Sequence, residues 1–423
     1  MRILLSTFGS YGDLYPYLAL GGELRRRGHE VTLATSALYR AKVESARLQF
    51  HAVRPDISLE DRELLAYVMD ARRGSERIVR YLASVVRDSY EDVLPAAAAA
   101  DVILTHPITF GSVLAAEKLR MPWVSSVLAP ISFLSAHDPC VVAPAPWMHN
   151  LRFLGPRFTG AWIALAKHQT LEWLRPVTGL RAELGLRPGG NPLFEGQHAP
   201  SLVLALFSRL IAEPQPDWPP HTVVTGFCFL DDSEELPARL RQFLAAGPAP
   251  IVFTLGSSAV GTAGDFYLHS LNAVRRLGAR AVFLTGSHPQ RLPEKLPDAV
   301  ITVPYAPHAP LFSQAAAIVH QGGIGTTGQA MRSGRPMLIV PFAHDQFDNA
   351  ERVRRLGAAE VIPQSRYTAG RAECCLHHLL SKQHYRAAAS NIGQATKSEG
   401  GVTTAADAIE DSLRAKHQRA DPG

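Results

Sequence analysis

The chain has 423 residues, of which 46% are hydrophobic and 19% are charged, and its formal net charge is +5. This composition is typical of a folded protein and excludes intrinsic disorder, while the length suits two domains of roughly 200 residues each. A charge this small over this length does not indicate nucleic acid as a partner, and the sequence contains no nucleic-acid-binding motif.

The N-terminal part of the chain alternates predicted strands with predicted helices. Ile3–Thr7 predicts a buried strand and not a signal peptide. A helix is predicted from Pro16 to Arg27, and Gly28 is expected to end it. The next predicted strands are Val31–Ala34, Val102–Thr105 and Trp123–Leu128. This β-α-β order predicts a parallel sheet with helices on both faces.

The sequence contains no run of 18 apolar residues that would predict a transmembrane helix. Its four cysteines show no C-x-x-C spacing, so we expect a reducing, cytoplasmic compartment, with contact to the inner membrane left open. The stretch Leu151–Pro176 is rich in Phe, Trp and Leu with scattered Arg and Lys. It allows three interpretations: the wall of an apolar pocket, a contact with a membrane surface, or a helix packed on its own domain.

A proline-rich stretch, residues 212–221, cannot hold a helix or a central strand. We therefore predict a first domain at residues 1–215 and a second at residues 216–423 that ends in a C-terminal helix. The second strand series is predicted at Val223–Thr225, Ile251–Leu255, Ala281–Leu284, Ala317–His320 and Met337–Pro341. The predicted fold class is α/β, with two facing Rossmann-like domains, parallel sheets and a ligand cleft between them.

The most informative stretch begins at His320, follows a predicted strand and opens a predicted helix. Its glycines, including Gly322 and Gly325, permit a tight turn and let backbone N–H groups approach a ligand closely. The helix N-terminus favours a diphosphate, and Thr326 adds a hydroxyl donor. His320 can donate to a phosphate oxygen or stabilise charge that develops on a leaving group.

The same stretch also fits the dinucleotide-binding fingerprint, as Gly323-x-Gly325-x-x-Gly328. Asp345 lies near the distance expected for a ribose-binding acid, although it lies beyond its strand. The physics of diphosphate binding does not separate the two interpretations. An NAD-dependent oxidoreductase therefore stays open as an alternative.

Three further segments follow predicted strands. Leu255–Ser258 ends in small donors, the segment from Tyr305 to His308 offers an aromatic ring for a base, and His344–Asn349 offers a carboxylate and amides for sugar hydroxyls. Each also has an ordinary structural interpretation, as a β-α turn, a surface aromatic beside a proline, or an acidic helix cap.

Together these segments resemble the two-domain nucleotide-sugar glycosyltransferases over essentially the whole chain, most specifically from Tyr305 to Asn349. The resemblance implies a GT-B fold of the family 1 type. It also implies donor-binding roles: Tyr305 on the nucleobase, Ala306 at its edge, His308 by the ribose, Ser257, His320, Gly325 and Thr326 at the diphosphate with Gly322 in the same loop, and Asp345 and Gln346 at the sugar. Plant members carry Trp and Asn where Gly323 and Ile324 stand, so those side-chain roles are absent here.

The segment Gly9–Pro16 resembles the acceptor-site loop of the same family. Many members place a His base three residues before the proline, where this chain has Asp13. His106 follows a strand about where plant members place the Asp that orients this His. The resemblance therefore implies Asp13 as base and His106 as its polar neighbour, with a helix N-cap as the alternative for Asp13. Acceptor-binding residues are expected at Gly12, Phe133 and His137.

Four segments resemble, more narrowly, the bacterial rhamnosyltransferases of rhamnolipid synthesis: Leu134–Pro139, Gly264–Tyr267, residues 277–286 and His344–Arg352. This resemblance implies an inverting, metal-independent transfer of L-rhamnose from its deoxythymidine diphosphate donor. The acceptor would be a hydroxyl of a small apolar molecule, such as a hydroxyalkanoyloxyalkanoate or a flavonoid. No cofactor is expected beyond the nucleotide sugar, which serves as co-substrate, and the oligomeric state is not predicted.

Other interpretations stay open. One is a UDP-glucose-dependent glucosyltransferase acting on a sterol, flavonoid or macrolide. The others are an epimerase of similar fold, and a non-catalytic relative that binds nucleotide sugars and partners another enzyme.

Overall fold

The computed structural model describes residues 1–58, 61–230, 234–287 and 290–420, and the strands within them form two sheets. The strands are β1 (Arg2–Ser6), β2 (Glu30–Thr35), β3 (Gln49–Ala52), β4 (Val102–Thr105), β5 (Trp123–Val127), β6 (Val203–Ala205), β7 (Thr222–Val224), β8 (Ile251–Thr254), β9 (Ala281–Leu284), β10 (Val300–Val303), β11 (Ala317–His320), β12 (Met337–Ile339) and β13 (Ala359–Val361). The first sheet has the order β3-β2-β1-β4-β5-β6-β7 and the second has the order β10-β9-β8-β11-β12-β13.

Helices cover both faces of each sheet. They are α1 (Tyr11–Arg26), α2 (Arg40–Ser45), α3 (Arg62–Val68), α4 (Gly74–Ser84), α5 (Val86–Ala98), α6 (Phe110–Lys118), α7 (Pro156–Thr170), α8 (Arg175–Glu183), α9 (Ala238–Ala245), α10 (Gly256–Ala259), α11 (Phe266–Leu277), α12 (His308–Phe312), α13 (Ile324–Ser333), α14 (Gln346–Arg355), α15 (Ala369–Ser381), α16 (Gln383–Ser398) and α17 (Gly401–Ala420). Short 3-10 helices lie at Ala37–Tyr39, Pro130–Phe133, Pro146–Leu154, Glu195–Gln197, Val260–Thr262 and Gln364–Arg366.

All strand pairs within both sheets are parallel, as the β-α-β order predicted. In the first sheet Ile3 lies opposite Val31 on one side and Val102 on the other. The central strands β4, β8 and β9 are buried along their whole length, since parallel strands are covered by helices on both faces. The predicted fold class, two Rossmann-like domains of the GT-B type, is confirmed.

The first domain extends further along the chain than the sequence indicated. Strand β7 (Thr222–Val224) pairs with β6 in the first sheet, Val203 lying opposite Thr222. The prediction that Val223–Thr225 opens the second strand series is therefore wrong, and the second sheet starts at β8. The proline-rich stretch, residues 212–221, is a connection inside the first domain.

The C-terminal helix α17 also belongs with the first domain, which corrects its predicted place in the second. Its buried residues Ala405, Ala406 and Ile409 join the hydrophobic cluster that contains the first sheet and α1. At the surface, Arg27 Nη1 contacts Asp407 Oδ1 at 2.6 Å and Glu410 Oε2 at 3.1 Å. The first domain is thus built from both ends of the chain.

None of the described helices combines the length and the apolar character that crossing a bilayer requires.

Candidate active site

The largest described cavity lies between the two domains, at the carboxyl ends of both sets of strands. Its volume is about 620 Å³, and both domains line it. Six of the sequence-predicted residues line this cleft, together with Tyr15 and Gln329; they are Gly12, Ser257, Tyr305, His308, Gly325 and Thr326. A ligand at the switch point of two open α/β sheets is the expected arrangement.

The N-terminus of α13 points into this cleft. Gly323 is the residue before the helix, and the first intrahelical bond runs from Thr327 N to Gly323 O at 2.9 Å. Helix geometry therefore leaves the N–H groups of the first turn without backbone acceptors, and the helix dipole places partial positive charge there. A Cβ atom on Gly325 would lie 3.3 Å from Gly12 Cα, so the first turns of α13 and α1 approach each other closely.

His320 lies at the end of β11 and is fully buried. Gly322 N–H donates to its Nδ1 at 3.1 Å, which places the ring proton of the neutral imidazole on Nε2. Burial, with a smaller contribution from His308, lowers the pKa of His320 to about 3, so the ring is neutral at physiological pH. Nε2 is buried and has no described partner. His320 can therefore act as a neutral N–H donor, not as a cation.

Gly322 is conformationally required by this loop. Its φ is +89°, and a Cβ atom there would lie 2.9 Å from Gln346 O and 3.0 Å from Ile339 Cγ2. A side chain would thus be strained as well as crowded. Gly322 therefore shapes the loop by its backbone and is packed against α14.

Gln321 is a site residue that the sequence reasoning missed. Its buried side chain lies against Gly256 and Gly323, where added Cβ atoms would collide with its Nε2. It thus fills the space between the β8–α10 turn, which carries Ser257, and the loop before α13. Its contact with Gly256 joins segments far apart in sequence, so no local sequence pattern indicated this role.

Asp345 and Gln346 lie at the start of α14. Asn349 Nδ2 donates to Asp345 Oδ2 at 2.7 Å and to Gly322 O at 2.9 Å, which ties the α14 start to the glycine-rich loop. Burial raises the pKa of Asp345 to about 7, the Asn349 bond opposes this, and the charge of Asp13 adds to it. Asn349, another residue without a predicted individual role, is therefore a positioning residue of this site.

Gln346 is nearly fully buried, and its side chain is partly used by the protein itself. Its Oε1 accepts from Phe342 N at 2.8 Å and from Ala343 N at 3.1 Å. These bonds fix the amide orientation and leave Nε2 as the end that can donate to a sugar hydroxyl.

The predicted base-binding segment lies at the other end of the cleft. Tyr305 is 51% exposed, and its side chain hydrogen-bonds that of Tyr15 from the first domain. His308 stacks on Phe312 with ring centroids 4.5 Å apart, and burial lowers its pKa to about 4. Ala306 is fully buried, so only its main chain is suited to contact a ligand.

Asp13 and His106 are brought together at the edge of the first sheet. His106 Nε2 lies 3.5 Å from Asp13 Oδ1, and their side chains are 7% and 31% exposed. The carboxylate is therefore the accessible member of the pair, while the imidazole lies behind it.

The local structure corrects the predicted start of α1. The helix begins at Tyr11, not Pro16, and Ser10 is its N-cap. Asp13 is the third helical residue, and its Oδ2 accepts from Ser10 N at 2.7 Å, which completes a capping box. The N-cap alternative for Asp13 is therefore wrong. Because one oxygen caps the helix, Oδ1 is the oxygen that faces His106.

Two predicted acceptor residues lie elsewhere. Phe133 stacks on Trp218 with centroids 4.2 Å apart and belongs to the core, and His137 is exposed and does not line the cleft. The sequence analysis assigned the segment around Phe133 and His137 to acceptor binding, whereas in the structure it packs between the two domains.

The segment that contains His137 and Asp138 joins the two domains. Arg352 on α14 contacts Asp348 Oδ2 through Nε at 2.7 Å and also pairs with Asp138 of the first domain. Asp348 Oδ1 accepts from Val141 N at 3.0 Å. Arg352 and Asp348 are at most 2% exposed and the Asp138 side chain is 20% exposed, so this interdomain ion cluster, Asp138, Asp348 and Arg352, is largely buried. Two of the four segments that suggested a rhamnosyltransferase are thus in contact.

A smaller cavity lies beyond β1 and β4 in the first domain, next to the Asp13 loop. Its volume is about 30 Å³, and its wall combines apolar residues such as Phe8 and Val53 with polar ones such as Arg54 and Thr109. Thr7, also in its wall, donates through Oγ1 to Asp13 O at 3.2 Å. A volume of this size holds about two water molecules.

Both halves of the chain match known domain families. Residues 3–134 match the glycosyltransferase family 28 N-terminal domain, and residues 269–411 match the erythromycin biosynthesis protein CIII-like C-terminal domain. The chain is 32% identical to O-mycaminosyltylonolide 6-deoxyallosyltransferase of Streptomyces fradiae over the full length of both proteins. It is 28% identical to sterol 3-beta-glucosyltransferases of Pichia angusta and Arabidopsis thaliana, covering 97% and 100% of this chain but 33% and 67% of those longer proteins.

Solved structures agree on the fold. The glycosyltransferase of kitacinnamycin superimposes with a TM-score of 0.71 at 22% identity, covering 97% of this chain and 98% of that one. Spinosyn rhamnosyltransferase SpnG, solved with thymidine diphosphate, gives a TM-score of 0.68 at 20% identity, covering 97% and 100%.

Proposed function

The chain belongs to the GT-B nucleotide-sugar glycosyltransferases, and from this premise we propose that it transfers L-rhamnose from deoxythymidine-diphospho-L-rhamnose to a hydroxyl of a small apolar acceptor, with inversion and without a metal. Family membership decides against the NAD-dependent oxidoreductase that the Gly323–Gly328 pattern alone would allow.

One observation carries the proposal: the first turn of α1, which carries Asp13, and the N-terminus of α13 meet at one cleft from two domains. Burial is the main cause of the raised pKa of Asp345, and the charge of Asp13 adds to it, so the two carboxyls lie within electrostatic range of each other. A sugar held between Asp345 and the diphosphate would therefore present its anomeric carbon on the side of Asp13.

In the proposed reaction, Asp13 accepts the proton of the acceptor hydroxyl as its oxygen attacks the anomeric carbon. The bond to the nucleotide diphosphate breaks on the opposite face, so the configuration inverts. Negative charge grows on the departing phosphate, where the α13 N–H groups and the His320 Nε2–H can donate. His106 orients the Asp13 carboxylate from behind.

Two features support the substrate classes. The Streptomyces fradiae relative is named as a 6-deoxyallosyltransferase, and rhamnose is likewise a 6-deoxyhexose. The apolar part of the interdomain cleft, lined by Leu128, Leu206 and Phe229, suits an aliphatic or aromatic acceptor such as a hydroxyalkanoyloxyalkanoate or a flavonoid. The sterol glucosyltransferase relatives favour a second candidate, glucose transfer from UDP-glucose to a sterol.

A transfer assay on the purified protein tests the proposal. Each of the two nucleotide sugars is offered with a hydroxyalkanoyloxyalkanoate, a flavonol and a sterol, in the presence of EDTA, and products are read by mass spectrometry. A rhamnoside formed with EDTA present supports the proposal, and the anomeric configuration of the isolated product, read by NMR, reports inversion. A glucoside alone favours the second candidate. Donor binding by calorimetry without product from any pair indicates a non-catalytic relative.

A further inference from the structure

The surface formed by the 3-10 helix Pro146–Leu154 and by α7 is unusually apolar. Six of the twelve large hydrophobic residues that are exposed among the described residues lie here: Trp147, Phe153, Leu154, Phe158, Leu165 and Leu171. Phe153 is 76% exposed, Trp147 60% and Leu165 57%. Single exposed apolar residues are ordinary, but a cluster of large ones on neighbouring elements indicates a contact surface.

The solvent-facing side of α7 carries large apolar side chains. Phe158, Ala161 and Leu165 are exposed and follow one another at helical spacing, so they share one face. The opposite face supplies the buried residues Thr159 and Ile163. Arg157, His168 and Gln169 are also exposed, so apolar side chains lie beside basic and polar ones on the outer side of this helix.

The charge of this segment is one-sided. Residues 139–171 contain no Asp or Glu, and they carry Arg152, Arg157 and Lys167. Arg152 and Arg157 are exposed, and Lys167 is held by Glu195 from outside the segment. Exposed aromatic and aliphatic side chains flanked by basic ones are the composition of interfacial protein surfaces.

We propose that this surface, defined by residues 147–171, docks on an anionic phospholipid bilayer. The aromatic and leucine side chains enter the headgroup region, and Arg152 and Arg157 contact lipid phosphates. A second copy of the chain fits less well, because a symmetric dimer would face this basic, acid-free surface with itself. Association with lipid requires no membrane-crossing helix.

Vesicle cosedimentation of the full chain tests the proposal. We expect binding to vesicles of phosphatidylcholine with phosphatidylglycerol, weak binding to phosphatidylcholine alone, and weakening by salt. The double variant Phe153→Ser with Leu165→Ser should lose at least about tenfold in affinity. Arg157→Gln should lose about fivefold on anionic vesicles and nothing on neutral ones.

Leu38→Ser is the matched control, since Leu38 is 51% exposed and lies outside this surface. It should bind vesicles as the unaltered chain does, and all variants should keep the same Tm because the altered side chains are exposed. Absence of vesicle binding, or unchanged binding by the double variant, would overturn the proposal. So would sedimentation equilibrium showing a dimer that the double variant dissociates while vesicle affinity stays the same.

Discussion

At the scale of single residues, several buried polar atoms around the glycine-rich turn before α13 have no partner among the described residues. They include His320 Nε2, Gln321 Oε1, Thr327 Oγ1 and Asn349 Oδ1. Buried polar groups in folded proteins nearly always have partners, because an unpaired one costs about 1–3 kcal/mol. Similar atoms also occur far from this turn, and among the four we expect the neutral His320 Nε2–H to donate to a bound diphosphate.

Asp13→Asn should lower kcat by about 10²–10⁴-fold while leaving the donor Kd unchanged. Asparagine can still cap α1 but cannot take the proton of the acceptor. Turnover and calorimetric donor binding measured on the same preparation check this. Ser10→Ala is the control, since it removes the capping hydroxyl and keeps the carboxylate. It should cost about 1 kcal/mol of stability and retain most turnover. Near-normal turnover by Asp13→Asn would contradict the assignment.

The affinity for the nucleotide sugar should rise as the pH rises through about 7, the pKa to which burial raises Asp345. Below this value the carboxyl is protonated and accepts sugar hydroxyl hydrogens less well; above it the carboxylate accepts them. Calorimetry with the nucleotide sugar across this range measures the effect. Asp345→Asn keeps the bond from Asn349 and should remove this part of the pH dependence. The same pH profile in the variant would exclude Asp345 as its source.

A site residue could be predicted from the sequence where local structure sets its position, and could not where long-range contacts do. Strand ends and glycine turns are local features of the sequence, so the residues that follow them could be predicted to line the cleft. They are Gly12, Ser257, Tyr305, His308, Gly325 and Thr326. Phe133 and His137 were misplaced because their positions depend on long-range packing against Trp218 and on pairing of the next residue, Asp138, with Arg352. Gln321 and Asn349 act through contacts with backbone distant in sequence, which no local pattern reveals.

At the scale of elements, the glycine-rich turn before α13 depends on backbone shape more than on side chains. Gly322→Ala should lower the free energy of unfolding by about 2 kcal/mol, because φ is +89° and Gln346 O lies 2.9 Å from the added Cβ atom. Urea unfolding measures this. Gly22→Ala is the matched control: it lies within α1, meets nothing within 4 Å, and should stabilise by up to about 1 kcal/mol. Equal effects of the two substitutions would contradict this interpretation.

Element boundaries were predicted less well than element types. The strands and their parallel arrangement were predicted from short apolar runs and from glycines that end helices. The start of α1 was placed five residues late because proline is common in the first turn of helices. In this chain Pro16 lies inside α1, whose N-terminus is already capped by Ser10 and Asp13. Strand β7 was assigned to the wrong sheet because a proline-rich stretch marks a chain connection but not the sheet that follows it.

At the scale of the whole molecule, the interdomain ion cluster fixes α14, which begins beside Asp345, to the first domain. Arg352→Met should cost about 3–5 kcal/mol, because it leaves the buried Asp348 carboxylate without its guanidinium partner, while Asp138 keeps its contact with Arg355. Thermal unfolding checks this. The control is Glu44→Gln, which breaks the exposed pair with Arg40 and should change Tm little. A Tm loss no larger than that of the control would show that the cluster does not hold the domains.

The return of α17 to the first domain has a consequence for synthesis. Helix α17, which leaves the ribosome after every described strand, supplies Ala405, Ala406 and Ile409 to the hydrophobic cluster that contains α1 and the first sheet. All strands of the second sheet, β8 to β13, are synthesised before α17. This sheet can therefore fold while the first domain still lacks the helix that covers α1. The first domain, whose strands are synthesised first, is therefore completed after the second sheet. A nascent chain stalled short of residue 401 would expose the apolar side of α1.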